Sequence, residues 1–132
     1  MAGPYPYFNG DLDYPAPGCL VTVSYDAHMR EWPALLDSGA DYTCVPIDLI
    51  NEFALEKKGE LPVEGATGDT PEMQDLYRVN LEFLGIVIGY HLVLGGTGLA
   101  AREHILIGRD ILNRYHVRFA GPDLQFFIDE TA

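Results

Sequence analysis

Basic residues are scarce in this chain. Eight Lys and Arg stand against 20 Asp and Glu, for a formal charge of −12. No basic stripe is available to displace counterions from a phosphate backbone, which argues against nucleic-acid binding. Adhesion to an anionic membrane surface is disfavoured for the same reason. A charge of this size keeps a protein soluble, and it would attract a basic partner or substrate. Cysteine is nearly absent: Cys19 and Cys44 cannot build a disulfide framework. Their apolar settings, "PGCLVTV" and "YTCVP", predict buried free thiols. The longest apolar stretch, "LGIVIGYHLVLGG" at 84–96, is interrupted by Gly and His and is too short to span a bilayer. Residues 1–18 carry neither the basic region nor the apolar segment of a signal peptide. The expectation from these absences is a soluble, cytoplasmic protein without a membrane or nucleic-acid partner.

Several chemical motifs are missing too. No Gly-x-x-x-x-Gly-Lys-[Ser/Thr] loop occurs, and "GGTGLAA" resembles a dinucleotide fingerprint only in its glycine count. His28, His91, His104 and His116 show no zinc-like spacing, so neither a metal nor a cofactor is expected. Each reads as a surface or partly buried side chain. Cys44 lacks the surroundings of a Cys-His nucleophile.

What is present fits one globular domain. The chain has 132 residues, 48% of them apolar; a domain of this size buries roughly 68% of its unfolded surface. Residues 1–18, with Pro4, Pro6, Pro15 and Pro17, predict an irregular or extended arm, and 19–132 the domain proper. "CLVTVSYD" (19–26) and "EWPALLD" (31–37) read as strands with "AHM" in the turn between them. "PIDLINEFAL" (46–55) reads as a short helix with Pro46 at its first position, Ile47, Ile50 and Phe53 or Ala54 on one face, and Gly59 as its stop. A turn-rich hairpin or loop (61–74) precedes "DLYRVNLEF" (75–83). There Tyr77, Val79, Leu81 and Phe83 alternate with Arg78, Asn80 and Glu82, the period of a strand with one wet face. "GIVIGYHLVL" (85–94) reads as a strand pair or a bent strand. Ile105 to Ile107 read as a buried strand, followed after Gly108 by a helix with Ile111, Leu112 and Tyr115 as its apolar positions. "VRFAGPDLQFFID" (117–129) reads as two strands around Gly-Pro-Asp. Seven to nine strands with two short helices predict an all-β, mostly antiparallel barrel or sandwich.

One carboxylate stands out. Asp37 in "PALLDSGADYTCVP" follows an apolar strand directly. Burying it is costly without donors. Gly39 permits a tight turn whose N–H groups point at it, and Ser38 adds a hydroxyl. Read alone, this is equally a strand-ending turn. A second run of the same character, "ILIGRDIL", follows, with Gly108 standing 71 positions after Asp37.

Taken in order, Leu35-Leu36-Asp37-Ser38-Gly39-Ala40, the hairpin, and Ile105-Leu106-Ile107-Gly108-Arg109-Asp110-Ile111-Leu112 resemble the retroviral-type aspartic proteases, the retropepsins. The resemblance extends over residues 19 to 129. It implies a closed, mostly antiparallel barrel with a short C-terminal helix and a second short helix, active as a symmetric homodimer on peptide or protein substrates. Asp37 would be the catalytic aspartate. Ser38 would hydrogen-bond across the twofold axis, and Gly39 and Ala40 would shape the loop. Asp41 would pair with Arg109 beside Gly108, tying the helix to the loop through a bidentate fork. The hairpin tip, Glu64, Gly65, Ala66, Thr67, Gly68 and Asp69, would be the flap. Two aspartates are needed to hold an attacking water, one of them protonated because close like charges cannot both ionise. The sequence contains one Asp-Ser-Gly, so the resemblance places the second aspartate in a second copy of the chain. The alternative is a catalytically inactive peptide-binding or dimerisation module of the same fold.

Overall fold

A computed structural model describes residues 2–9, 12–64, 71–96 and 103–130. Of the flap residues, Gly65 to Asp69 lie outside these. Among the described residues ten strands and two short α-helices follow one another in this order, with a 3-10 turn at Gly121–Asp123. They are β1 (Tyr5–Pro6), β2 (Gly18–Tyr25), β3 (His28–Leu36), β4 (Cys44–Pro46), α1 (Ile47–Phe53), β5 (Gly59–Glu64), β6 (Pro71–Phe83), β7 (Ile86–Gly96), β8 (Ile105–Ile107), α2 (Arg109–Leu112), β9 (Tyr115–Ala120) and β10 (Gln125–Glu130).

The main sheet runs β2-β3-β8-β4-β7-β6-β5, and β2 also pairs with β6, closing a barrel. The closure is as expected, and most pairings are antiparallel. Two are parallel, β3 with β8 and β4 with β7. The first of these matters most, because Leu35 lies opposite Leu106 and Leu36 opposite Ile107. Two strands ending in register bring Asp37 and Gly108 side by side.

Alternation explains the core. Val21 and Val23 from β2, Val79 and Leu81 from β6, and Ile105 and Ile107 from β8 point inward and are buried, as are Ile111, Phe126 and Ile128. Each such side chain stabilises the fold by roughly 1.5–3 kcal/mol relative to exposure. Pro33 is accommodated in β3 because the ladder to β8 begins only at Ala34.

Several boundaries differ from expectation. The first hairpin turns in two residues, with Tyr25 opposite His28 and Asp26 in the left-handed region at φ 51°; an aspartate tolerates that conformation, so "AHM" largely joins β3. Pro46 is the residue before α1 and still extended (ψ 155°), so Ile47 opens the helix and is exposed, while Leu49, Ile50 and Phe53 are buried. Ala54 ends α1 in the left-handed region, five residues before Gly59, which begins β5. The 85–94 stretch is one strand, bent by a bulge at Ile88–Gly89 where Gly89 takes φ 81°. α2 ends at Leu112, and Tyr115 opens β9 instead of extending the helix. The N-terminal arm lies extended against the body: Tyr5 and Pro6 pair with Phe126 and Gln125, giving a second sheet ordered β1-β10-β9.

Candidate active site

Asp37 is half-buried where β3 runs into an exposed loop. Its N–H donates to the Ile107 carbonyl (2.9 Å), so the ladder to β8 continues to the aspartate itself. Its Oδ1 accepts the Gly39 N–H at 2.9 Å, the backbone donor that the Ser-Gly turn was expected to supply. The Ala40 N–H donates to the Asp37 carbonyl at 3.2 Å and completes the turn. Among the described residues no other hydrogen bond reaches the carboxylate. Ser38 and Gly39 are exposed, and the Ser38 hydroxyl makes no bond within the described residues.

The two motifs meet directly. Arg109 N–H donates to the Ala40 carbonyl (2.8 Å) and Asp110 N–H to the Asp41 carbonyl (3.3 Å). The Arg109 guanidinium reaches the Ser38 carbonyl at 2.7 Å through Nη1 and pairs with the Asp41 carboxylate through Nη2. The expected Asp41–Arg109 pair is therefore formed, and its second arm fixes the backbone of the residue after Asp37 instead of a second carboxylate oxygen. Gly108 is required by contact: a Cβ there would stand 2.6 Å from the Tyr42 carbonyl carbon, 2.7 Å from its oxygen and 3.0 Å from the Ala40 oxygen.

Below this contact lies a network that the motifs did not reveal. Thr43 is fully buried. Its hydroxyl donates to Asp110 Oδ1 (2.8 Å) and accepts the Gly108 N–H (3.1 Å), while its own N–H donates to Asp110 Oδ2 (3.1 Å). His91 Nε2 lies 2.8 Å from the same Oδ2. Burial raises the Asp110 pKa, but the hydrogen bonds from His91 and Thr43 outweigh it and hold the carboxyl below its ordinary value. A polar threonine between Tyr42 and Cys44 is the one sequence signal for this network; nothing in the sequence connects it to His91.

Both thiols are free and half-buried. Burial pushes Cys19 up to about 12. Cys44 is pushed up to about 11, by burial first and then by the charges of Asp110 and Asp37. Neither thiol is a nucleophile in this state.

Glu64 ends β5 opposite Pro71 of β6, so the expected hairpin exists; its tip, 65–70, lies outside the described residues. A groove of about 430 Å³ is lined by Tyr25, Asp26, Glu56, Lys58, Arg78 and Tyr90 and includes no residue of the active-site loop.

Residues 15–120 match the family described as retroviral aspartyl protease. Among solved structures, the EIAV protease complexed with the inhibitor HBY-793 is similar at a TM-score of 0.55 and 18% identity, over 80% of this chain and 92% of that one. A retropepsin-like aspartic protease from Rickettsia conorii is similar at a TM-score of 0.56 and 12% identity, over 96% of this chain and 90% of that one. At these identities the likeness is one of fold. Comparison with curated proteins gives no sequence match.

Proposed function

Because this chain belongs to the retroviral aspartyl protease family, we propose that it is an aspartic endopeptidase whose site is completed by Asp37 of a second copy. The observation that carries this reading is the state of Asp37 itself. A half-buried carboxylate accepts a single hydrogen bond among the described residues, on an exposed loop whose backbone is fixed from behind by Arg109. An internal structural carboxylate would have more of its lone pairs satisfied; this one is positioned and left open.

In the dimer, two Asp37 carboxyls face each other across the twofold axis and share one proton, since two close negative charges are not both tolerated. The ionised carboxylate takes a proton from a bound water as it attacks the peptide carbonyl, and the protonated one donates to the substrate. The titration then belongs to the pair. Cleavage is expected at mildly acidic pH, with the β5–β6 hairpin covering an extended peptide.

The second sheet supports a docking mode. β1 occupies one side of β10, leaving the arm engaged with its own chain. Among the described residues β9 is paired on one side only. Its register with β10 puts Tyr115, Val117 and Phe119 on the face that Ile128 and Phe126 present to the core, and Phe119 is still 41% exposed. An unpaired edge with a half-open apolar stripe favours strand addition. β9 follows the helix that grips the active-site loop. We therefore place the twofold contact at β9 against β9 of the second copy, an isologous pairing.

The test is cleavage of a diverse peptide pool between pH 4 and 7 by the wild type and by Asp37→Asn. Cleavage by the first and not the second supports the protease. Absence of cleavage by either favours an inactive binding or dimerisation module.

A further inference from the structure

His91 belongs to neither motif, yet it meets the carboxylate that ties them together. It lies on β7 opposite Val79 of β6. Its side chain is 13% exposed and that of Asp110 is 20% exposed, so both groups are largely screened from bulk water. Nε2 is 2.8 Å from Asp110 Oδ2, while Nδ1 faces Arg114 Nη2 at 3.5 Å. A guanidinium carries only N–H donors, so the nitrogen facing it is an acceptor and the proton sits on Nε2. The network thus assigns the tautomer: His91 donates to Asp110.

Asp110 is consequently loaded from three directions. His91 reaches it from β7, the Thr43 N–H and hydroxyl from the active-site loop, and the Ile111 N–H (3.0 Å to Oδ1) from α2. Thr43 passes the restraint on to Gly108, whose neighbour Ile107 accepts the Asp37 N–H. Without His91, Oδ2 keeps only the Thr43 N–H and the carboxylate can rotate toward solvent. The Thr43 hydroxyl is then left with an acceptor anchored only by the Ile111 N–H (3.0 Å to Oδ1), and the loop loses one of its two ties to β7, the other being the Leu94 N–H to the Thr43 carbonyl (2.9 Å).

We propose that His91 is a positioning residue which, acting through Asp110 and Thr43, fixes the loop that presents Asp37. The inference rests on Asp37 as the catalytic group, but its test does not. Hydrogen–deuterium exchange of residues 37–43 reads the loop whether or not the chain cleaves peptides. His91→Leu removes the donor; His91→Gln keeps an N–H near the Nε2 position.

The expected result is exchange about tenfold faster in 37–43 for His91→Leu, unchanged exchange in β2, and near wild-type protection for His91→Gln. In the cleavage assay kcat falls about tenfold with KM little changed, and the Gln variant recovers it, because misplacing a catalytic group costs rate more than binding. If His91→Leu does not fold, His91→Asn, too short to reach Asp110, takes its place with the same expectation. Unchanged exchange in 37–43, a uniform acceleration throughout the chain, or a Gln variant as loose as the Leu variant overturns the proposal. A wild type with no cleavage at all counts against the protease reading and leaves the exchange result to decide the role of His91.

Discussion

Adding one methyl group at Gly108 tests the contact that joins the two motifs. The backbone there is extended, with φ −91° and ψ −176°, a conformation any residue adopts. No backbone strain therefore enters, and the whole effect of Gly108→Ala is steric. The new Cβ would meet the Tyr42 carbonyl carbon at 2.6 Å, its oxygen at 2.7 Å and the Ala40 oxygen at 3.0 Å. These are backbone atoms, which cannot rotate away as a side chain would. Relief requires the loop 40–42 to move off the start of α2, stretching the bonds from Arg109 N–H to Ala40 and from Gly108 N–H to Thr43. Overpacking of this kind costs typically 1–3 kcal/mol, and each weakened hydrogen bond adds about 1 kcal/mol. The sum is about 3–5 kcal/mol, which lowers Tm by roughly 10 °C or more in a domain of this size. Gly121→Ala is the control, since nothing lies within 4 Å of its Cβ position. Thermal unfolding at one fixed protein concentration, needed because association shifts Tm, compares the two variants. A Gly108→Ala protein as stable as Gly121→Ala refutes the close approach and, with it, the docking of α2 on the active-site loop.

Three further outcomes follow from the same geometry. Asp110 is held below its ordinary pKa in the fold, so the folded state binds its proton less readily than the unfolded chain. Its stabilisation is fully present above about pH 4 and is lost as pH falls through the lower folded value; urea titrations should show Asp110→Asn less stable by about 1.5–3 kcal/mol at pH 7, with the gap closing below pH 4. Burial that lifts Cys44 from 9.0 to about 11 lowers its thiolate fraction about 100-fold at pH 8, so alkylation followed by mass spectrometry should be slower by at least that factor in the folded protein than in denaturant; equal rates contradict the burial. Phe119→Glu places a charge on the half-open edge β9 and should shift sedimentation toward the monomer at micromolar concentration; an undiminished dimer puts the twofold contact elsewhere.

Local pattern carried the barrel a long way. Alternation at Tyr77, Val79, Leu81 and Phe83 gave β6 its inward face, and all four are buried. Asp37 and Arg109 were legible through the resemblance carried by their two motifs taken in order; read alone, Asp37 was equally a strand-ending turn. Boundaries were harder, since they depend on conformations that residues adopt under tertiary pressure: Ala54 and Asp26 in the left-handed region carry no glycine to announce them. The helix after Gly108 stops early because Tyr115 finds a strand partner in Glu130, 15 positions on in sequence, which no helical periodicity can register. His91 was invisible as a site residue for the same reason. Its partner Asp110 is 19 residues away and belongs to another element. They come together because β4 pairs with both β7 and β8.

The claim at the centre is that one chain holds half a catalytic site. Mixing wild-type chain with Asp37→Asn chain at constant total concentration, with time for subunit exchange, tests it most directly. If only dimers with two Asp37 carboxyls cleave, activity follows the square of the wild-type fraction, and an equal mixture retains about one quarter of the wild-type rate. Activity that falls in direct proportion to the wild-type fraction, about one half in the equal mixture, or cleavage by Asp37→Asn alone, contradicts it.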